Sequence, residues 1–432
     1  MALDAEEYKR RRQQRAQERQ ARQAQQKRTL VKLAIAGGVL IACGILIFFV
    51  SRSGSVTPPV STEGTVLVTT PGETVTSTVP PETTQVTEPP KTVIHLAAAG
   101  DLNINDAVVA SGGTNYDYTE TFMDVAHLLS QADVTALNFE GNLYGAPYGS
   151  TGSAPQTLAN ALSAIGVDLV QLANSYSINK GMAGLASTIA GIQTAGMEPL
   201  GAYTSNDAFR EGKGYTIRYV QGIKIAFVAF TKGMNGLALP PGNENCVNLL
   251  YEDYATTYQD VDTEGISSVL DAVEKASPDI TVAMLHWGSE FKDTISDTQK
   301  EIRDLCLSKG VDVILGTHSH YVQQMVLDPE AGTFIAYSLG DFLSDARQPG
   351  TEYSVILDLE ITKDHETGIT KVTDYSYTPI FSVVEEGSPA RVVRIQEAMT
   401  AYQGNYIAKV LEDTYSDMQY ALERIEARIA GE

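Results

Sequence analysis

The 432 residues carry a formal net charge of −22 and are 43% hydrophobic, enough for a substantial core in one large domain or two small ones. The charge is split. Up to Lys32 the chain holds 10 basic and 4 acidic residues, and the remainder holds 21 basic against 49 acidic, so an acidic body argues against nucleic acid as a partner.

The first segment, 1–29, is a basic arm. An uncharged run from Leu33 to Val50 follows, and as a helix its 18 residues would span about 27 Å, close to a bilayer's hydrocarbon core. With Thr29–Val31 as an extension it predicts a transmembrane helix over 30–50, Lys32 reaching the headgroups. Arg10, Arg11, Arg12, Arg15, Arg19, Arg22 and Arg28 place the N-terminus in the cytoplasm and the body outside. A cleavable signal peptide is the rival reading, but no small-residue cleavage site follows Val50. Segment 51–91 is rich in Thr and Pro, with pairs at Pro58–Pro59, Pro80–Pro81 and Pro89–Pro90. Its prolines suit neither a helix interior nor a central strand. It reads as a disordered extracellular stalk, up to roughly 110 Å long if extended.

From Thr92 strands and helices alternate. Strands are predicted at Val93–Ala98, Val134–Leu137, Leu169–Ala173, around Pro199–Leu200, and at Ile223–Phe230, Ile280–Leu285 and Val311–Leu315. Helices are predicted at Glu120–Ser130, Leu158–Ile165, Leu185–Ala195, Ile266–Ala276 and Thr298–Ser308. Strands without intervening helices come next: Gln324–Leu327, Thr333–Ser338, Tyr353–Ile361 and Val372–Tyr377. This is an α/β body, 92–385, completed by antiparallel strands. The C-terminal segment, 386–432, looks helical over Pro389–Ile429 with a break near Gly404, either packed on the body or standing apart from it. Cys43 lies in the apolar run. Cys306, on the apolar face of a predicted helix, reads as an inert core thiol, with pairing to Cys246 left open.

Chemistry-bearing residues recur where strands stop: Asp101, Glu140, Asn174, His286, His318 and His320. In open α/β sheets ligands bind outside the carboxyl ends of the strands. His318 and His320 would share one face of an extended segment. Taken singly, Asp101 and Asn174 read as turn or cap residues, Glu140 as a loop carboxylate and the histidines as loop residues. Taken together, carboxylates with imidazoles suit zinc, manganese or iron rather than calcium. A carboxylate-bridged metal pair would activate water and clamp a phosphoryl group.

Five motifs then stand in order: Gly100–Asp101, Asn138–Phe139–Glu140, His286–Trp287–Gly288–Ser289–Glu290, Gly316–Thr317–His318–Ser319–His320 with Gln323, and Tyr337–Ser338–Leu339–Gly340–Asp341–Phe342. The order resembles the CapA family over about Thr92–Phe381. That family is associated with poly-γ-glutamate capsule synthesis and export, and its fold is related to the calcineurin-like metallophosphatases. The resemblance implies a layered αββα sandwich of the metallophosphoesterase type. It implies one or two divalent transition metals (Mn, Fe or Zn), Asp101 and His320 holding one, His286 and His318 the other, and Glu140 between them; Asn174, from its place at a strand end, is a further ligand candidate. Tyr176, His286 and His318 are the catalytic candidates. Glu290, Gln323, Asp341 and Trp287 are the candidate substrate contacts, with packing beneath the metal loop the other reading of Trp287.

Two departures stand out. The family's Ala-Asn-Asn-His is Ala173–Asn174–Ser175–Tyr176 here, and Asp341 replaces the usual Asn. Serine is a poor metal ligand and tyrosine a weak acid at neutral pH, and loss of a positioned acid typically costs about 10²–10⁴-fold. Tyr176 reads either as a packing replacement or as part of a polymer groove. The implied partners are an anionic capsular polymer or its synthesis and export machinery, and the membrane through the N-terminal helix. Three functions follow: a surface-anchored capsule protein, a metal-dependent hydrolase of the cell envelope, or an interaction module that kept the fold without the chemistry.

Overall fold

Alternation along strand β6 (Ile223–Thr231) shows how the body is layered. Ile225, Phe227 and Ala229 belong to a core shared by two sheets, whereas Ala226, Val228 and Phe230 belong to a second core packed on helices. The computed structural model describes residues 90–346, 348–385, 388–404 and 411–431. The predicted basic arm, the membrane helix, Cys43 and nearly all of the stalk lie outside the described residues. Among the described residues no helix is long and apolar enough to cross a membrane.

The first sheet contains β1 (Lys91–Asn103), β2 (Val134–Glu140), β3 (Leu169–Gln171) and β4 (Glu198–Leu200) in parallel. The second runs β5 (Thr216–Val220), β6, β7 (Ile280–His286), β8 (Val313–Thr317), then β10 (Thr333–Ala336) and β9 (Met325–Asp328). Its strands β6, β7, β8 and β10 are parallel and its edges, β5 and β9, antiparallel. Strands β11 (Asp341–Leu343), β12 (Tyr353–Asp364), β13 (Thr370–Val383) and β14 (Arg391–Arg394) complete the first sheet. There β11 lies parallel to β1, and β12, β13 and β14 add antiparallel neighbours. Every residue of β2, β7 and β8 is buried, as expected of parallel strands covered on both faces.

Helices α1 (Gln156–Ala164) and α2 (Gly181–Thr194) pack with the first sheet through Leu158, Leu162, Leu185 and Ile189. Helices α3 (Thr263–Ala276) and α4 (Asp297–Ser308) cover the second. The apolar spacing Ile266, Val269, Leu270, Val273 puts one face of α3 into that core. Asp262 and a Ser296–Gln299 capping box start the two helices. Cys246 and Cys306 are buried, unbridged thiols. Helices α5 (Ile395–Gln403) and α6 (Glu412–Ala430) pack on the body, α6 through Met418, Ala421 and Ile425.

Four local expectations are corrected. The helix expected over Glu120–Ser130 is two short helices, Thr119–Phe122 and Ala126–Ser130. Between them the Val125 amide bonds three residues back to Phe122, and Phe122 stacks on Phe342 at 5.6 Å. Strand β5 was not anticipated: it pairs with β6 through a Gln221–Gly222 turn, both residues at positive φ, which suits a tight hairpin. Residues 391–394, expected to be helical, form β14 because their alternate side chains join the edge of β13. His318 and His320 lie beyond the end of β8, not in an extended strand; their φ values are +88° and +60°.

Phe227 is wholly buried between the sheets, so Phe227→Ala should cost about 3–5 kcal/mol in urea unfolding. Tyr219→Ser, at a 70% exposed edge position, should stay within about 0.5 kcal/mol. Equal, small effects would contradict the two-sheet core.

Candidate metal centre

The carboxyl ends of strands from both sheets meet at one point. Strand β1 supplies Asp101 just beyond a register shift in its pairing with β2. Gly100 permits this: a Cβ there would come within 1.8 Å of the Gly340 carbonyl oxygen, which accepts the Asp101 amide at 3.0 Å. Strand β2 ends in Glu140, β7 in His286, and the loop after β8 supplies His318 and His320. Non-glycine residues held at positive φ are strained, and such strain gathers at functional sites.

These five side chains form two overlapping triads. Glu140, His286 and His318 offer ligand atoms within 4.8 Å of one another, and so do Asp101, Glu140 and His320. Glu140 is common to both. Asp101 Oδ1 accepts from Asn138 Nδ2 at 2.7 Å, and its Oδ2 accepts the His318 amide at 2.9 Å. Glu140 Oε1 lies 3.0 Å from His286 Nε2, but out of line for a hydrogen bond. Its other oxygen faces Asn103 Nδ2 at 3.4 Å. His286 Nδ1 meets Thr317 Oγ1 at 3.0 Å and Asn138 Nδ2 at 3.3 Å, while Nε2 meets Ser175 Oγ at 3.0 Å. A hydroxyl on Nδ1 is the usual brace of a histidine that ligates through Nε2, which here faces the Ser175 hydroxyl and Glu140 Oε1.

Electrostatics set burial against pairing. Burial, reinforced by Glu140, raises Asp101 to about 7. Burial also raises Glu140 to about 7, with His320 opposing and Asp341 and Glu290 adding to the rise. Burial pushes His286 down to about 3 and His318 well below its ordinary range. His286 is therefore neutral near neutral pH, while Glu140 passes between its neutral and charged forms there. For His320 burial opposes the charge, but Asp341, 2.7 Å from Nδ1, outweighs it together with Glu140 and Asp101 and holds the ring well above its ordinary value.

Two ligand-type atoms here have no hydrogen-bond partner, Glu140 Oε1 and His318 Nδ1. Each such buried orphan costs about 1–3 kcal/mol. A divalent cation would satisfy both and reverse the penalty on the carboxylates, so these residues fit the transition metal expected from the sequence.

The other candidates separate. Asp341 faces His320 and lines a cleft of about 440 Å³ that is also walled by Tyr176, Phe291, Asn103 and Asn179. Of the five clustered residues only His320 reaches this cleft. Phe291 stacks on His320 at 5.3 Å. Three expectations are corrected. Asn174 donates to Asn138 Oδ1 and the Phe139 carbonyl and accepts the Tyr176 amide, so it braces the loop after β3 and its amide is not left to a metal. Trp287 is fully buried, stacked on Tyr337 with its indole N–H on the Tyr337 carbonyl, and cannot touch a substrate. Gln323 is buried and donates to the Lys292 carbonyl at 2.9 Å, tying down the 288–296 loop. Glu290 is exposed and outside the cleft lining, yet its charge acts on Glu140, Tyr176 and His286. Tyr176 carries a pKa raised by burial and then by Glu140, which makes it a still weaker acid.

Asn138 and Thr317 were missed as site residues, although Asn138 shares a strand face with Glu140 by period-two alternation. Asn138 joins Asp101, His286 and Asn174.

For Glu140, a folded pKa of about 7 against an ordinary 4.5 favours folding fully below about pH 4.5, and the contribution is lost as pH rises through 7. Glu140→Gln should therefore stabilise the metal-stripped protein at about pH 8 by roughly 2–4 kcal/mol in urea unfolding, a gain that vanishes near pH 4. With metal restored the order should invert, because the amide is the poorer ligand. A loss of stability in the stripped state at pH 8 would show that Glu140 is not held against its charge.

The family described as bacterial capsule synthesis protein PGA_cap matches residues 95–346. The capsule biosynthesis protein CapA of Bacillus anthracis is 25% identical over 308 residues, 68% of either chain. The PGA biosynthesis protein CapA of Bacillus subtilis (strain 168) is 26% identical over 225 residues, 51% of this chain and 52% of that protein. The chain thus spans about two thirds of the first relative and half of the second. A crystal structure of a novel phosphatase from Mycoplasma pneumoniae superposes with a TM-score of 0.42 at 14% identity, covering 67% of this chain and 94% of that one. With more than half of its length matched, Asp101, Glu140, His286, His318 and His320 included, the chain belongs to the PGA_cap family of bacterial capsule synthesis proteins.

Proposed function

We propose that this protein acts at the outer cell surface in the synthesis, export or anchoring of a poly-γ-glutamate-like capsular polymer, through a metal-binding phosphatase-like domain held by an N-terminal membrane helix. The observation that carries this reading is the pair of triads sharing Glu140, with Glu140 Oε1 and His318 Nδ1 buried and unpaired. Asp101, Glu140 and His320 would hold one divalent transition metal, and Glu140, His286 and His318 a second. Such ions supply Lewis acidity toward carboxylate or phosphoryl oxygens. The chain's own residues do the rest: Thr317 and Asn138 orient His286, Asp341 orients His320, and Asn103 steadies Glu140. Family membership and the relatives named for capsule and PGA biosynthesis support the polymer assignment. The Arg-rich arm and the apolar run before Ser51 support the surface location.

Metal-dependent hydrolysis of a phosphoester or other envelope bond is the second reading, favoured by the same ligands. It is weakened by Ser175 and Tyr176 in place of Asn and His, and by a cluster that meets the cleft only at His320. Turnover should therefore be slow.

Full-length protein purified in detergent should retain at least one transition metal by elemental analysis, His318→Ala should lose most of it, and a generic phosphodiester should be cleaved slowly or not at all. A metal-free protein would leave only the interaction-module reading. Fast, His318-dependent cleavage would promote the hydrolase. Protease treatment of intact cells should remove the body and spare an N-terminal fragment; a protected body would refute the surface location.

A further inference from the structure

The C-terminal helix α6 lies outside the family match, yet one of its residues reaches the histidine loop. Arg428 is 8% exposed, and its guanidinium carbon sits 4.4 Å from the Tyr321 ring centroid and 5.3 Å from that of Tyr353. Its Nε and Nη1 make no hydrogen bond, and the Asp293 carboxylate, which Arg424 Nη2 also approaches at 3.7 Å, stands 3.7 Å from Nε. A buried cation with unsatisfied donors is a poor choice for packing alone, since an apolar side chain of similar volume would avoid that cost. Gly350, at φ +97°, makes room: a Cβ there would meet Tyr321 at 3.0 Å and Arg428 at 3.4 Å.

One of the two rings and the carboxylate beside Arg428 belong to the segments around His320, while Tyr353 belongs to β12. Tyr321 follows that histidine, and its hydroxyl donates to the Pro349 carbonyl at 2.8 Å. Asp293 is two residues from Phe291, which stacks on His320 and donates its amide to the Ser319 carbonyl at 2.9 Å. Residues 291, 318 and 320 all hold positive φ. A left-handed conformation at three non-glycine residues persists only where the surroundings over-determine it.

We propose that Arg428 is a positioning residue: it clamps Tyr321 and Asp293 together from α6 and so holds the strained 318–320 loop in its ligand-presenting form. The proposal rests on the metal reading for its functional meaning, but the brace itself is testable without metal.

The test uses full-length protein in detergent and compares Arg428→Met, which keeps apolar bulk and removes the cation, with Ile425→Ala, a core change one turn away on the same helix. Mn²⁺ affinity is measured by calorimetry after chelation, and amide exchange over 316–323 is measured in the stripped protein. Arg428→Met should weaken Mn²⁺ binding by about 10–100-fold, the usual effect of losing a supporting group, and should speed exchange in the loop. Ile425→Ala should lower the melting temperature and leave both readouts unchanged. Arg428→Lys, with a cation still over the rings, should fall between wild type and Met. Unchanged loop exchange in Arg428→Met, equal loosening by Ile425→Ala, or an unfolded Met variant beside a wild-type-like Lys variant would each overturn the proposal. If wild type binds no Mn²⁺, the metal reading fails while the exchange comparison still decides the brace.

Discussion

The hydrogen bond from the His318 amide to Asp101 Oδ2, 2.9 Å long, joins the two sheets at the point where their strands end. Asp101 belongs to the first sheet and His318 follows the second, so this contact, with those of Asn138 and Ser175 to His286, holds the two sets of loops face to face. It also commits the protein to burying a carboxylate. Once Asp101 is enclosed, Glu140 beside it adds repulsion, and the nearby imidazoles are too desolvated to answer with full charge. Only His320, held by Asp341, does so. Such a cluster is poorly balanced alone and well balanced around a cation.

Much of this was readable from residue order. Fully buried parallel strands appear as unbroken apolar runs, and Val282–Leu285 ending in His286 or Val313–Leu315 before His318 are of that kind. Their ends carry the ligands because the chain leaves the core there. What sequence did not reveal depends on backbone geometry. Period-two reasoning put His318 and His320 on one strand face, whereas left-handed residues turn them toward a common point. Trp287 and Gln323 stand beside ligands in sequence but point into packing, a choice made by Tyr337 and the 288–296 loop. Strand β14 was hidden because Arg391–Arg394 is short and sits against a helix-forming stretch.

The Asn174–Tyr176 segment separates fold from chemistry. Ser175 keeps a polar atom 3.0 Å from His286 Nε2, so the imidazole is still anchored, yet a hydroxyl is a weaker donor to a metal than an amide oxygen. Tyr176 keeps an aromatic wall on the cleft while giving up acidity near neutrality. The five clustered ligand candidates are in place, and the altered parts are one ligand position, now Ser175, and the group that would protonate a leaving group, now Tyr176.

The cleft touches the cluster only through His320, which makes the two candidate positions unequal in access. An ion held by Asp101, Glu140 and His320 would therefore sit beside the cleft, and one held by Glu140, His286 and His318 behind it. Exchange at such a pair would then be unequal, faster beside His320 than behind it, so that a brief chelator wash and a long one would leave chemically different proteins.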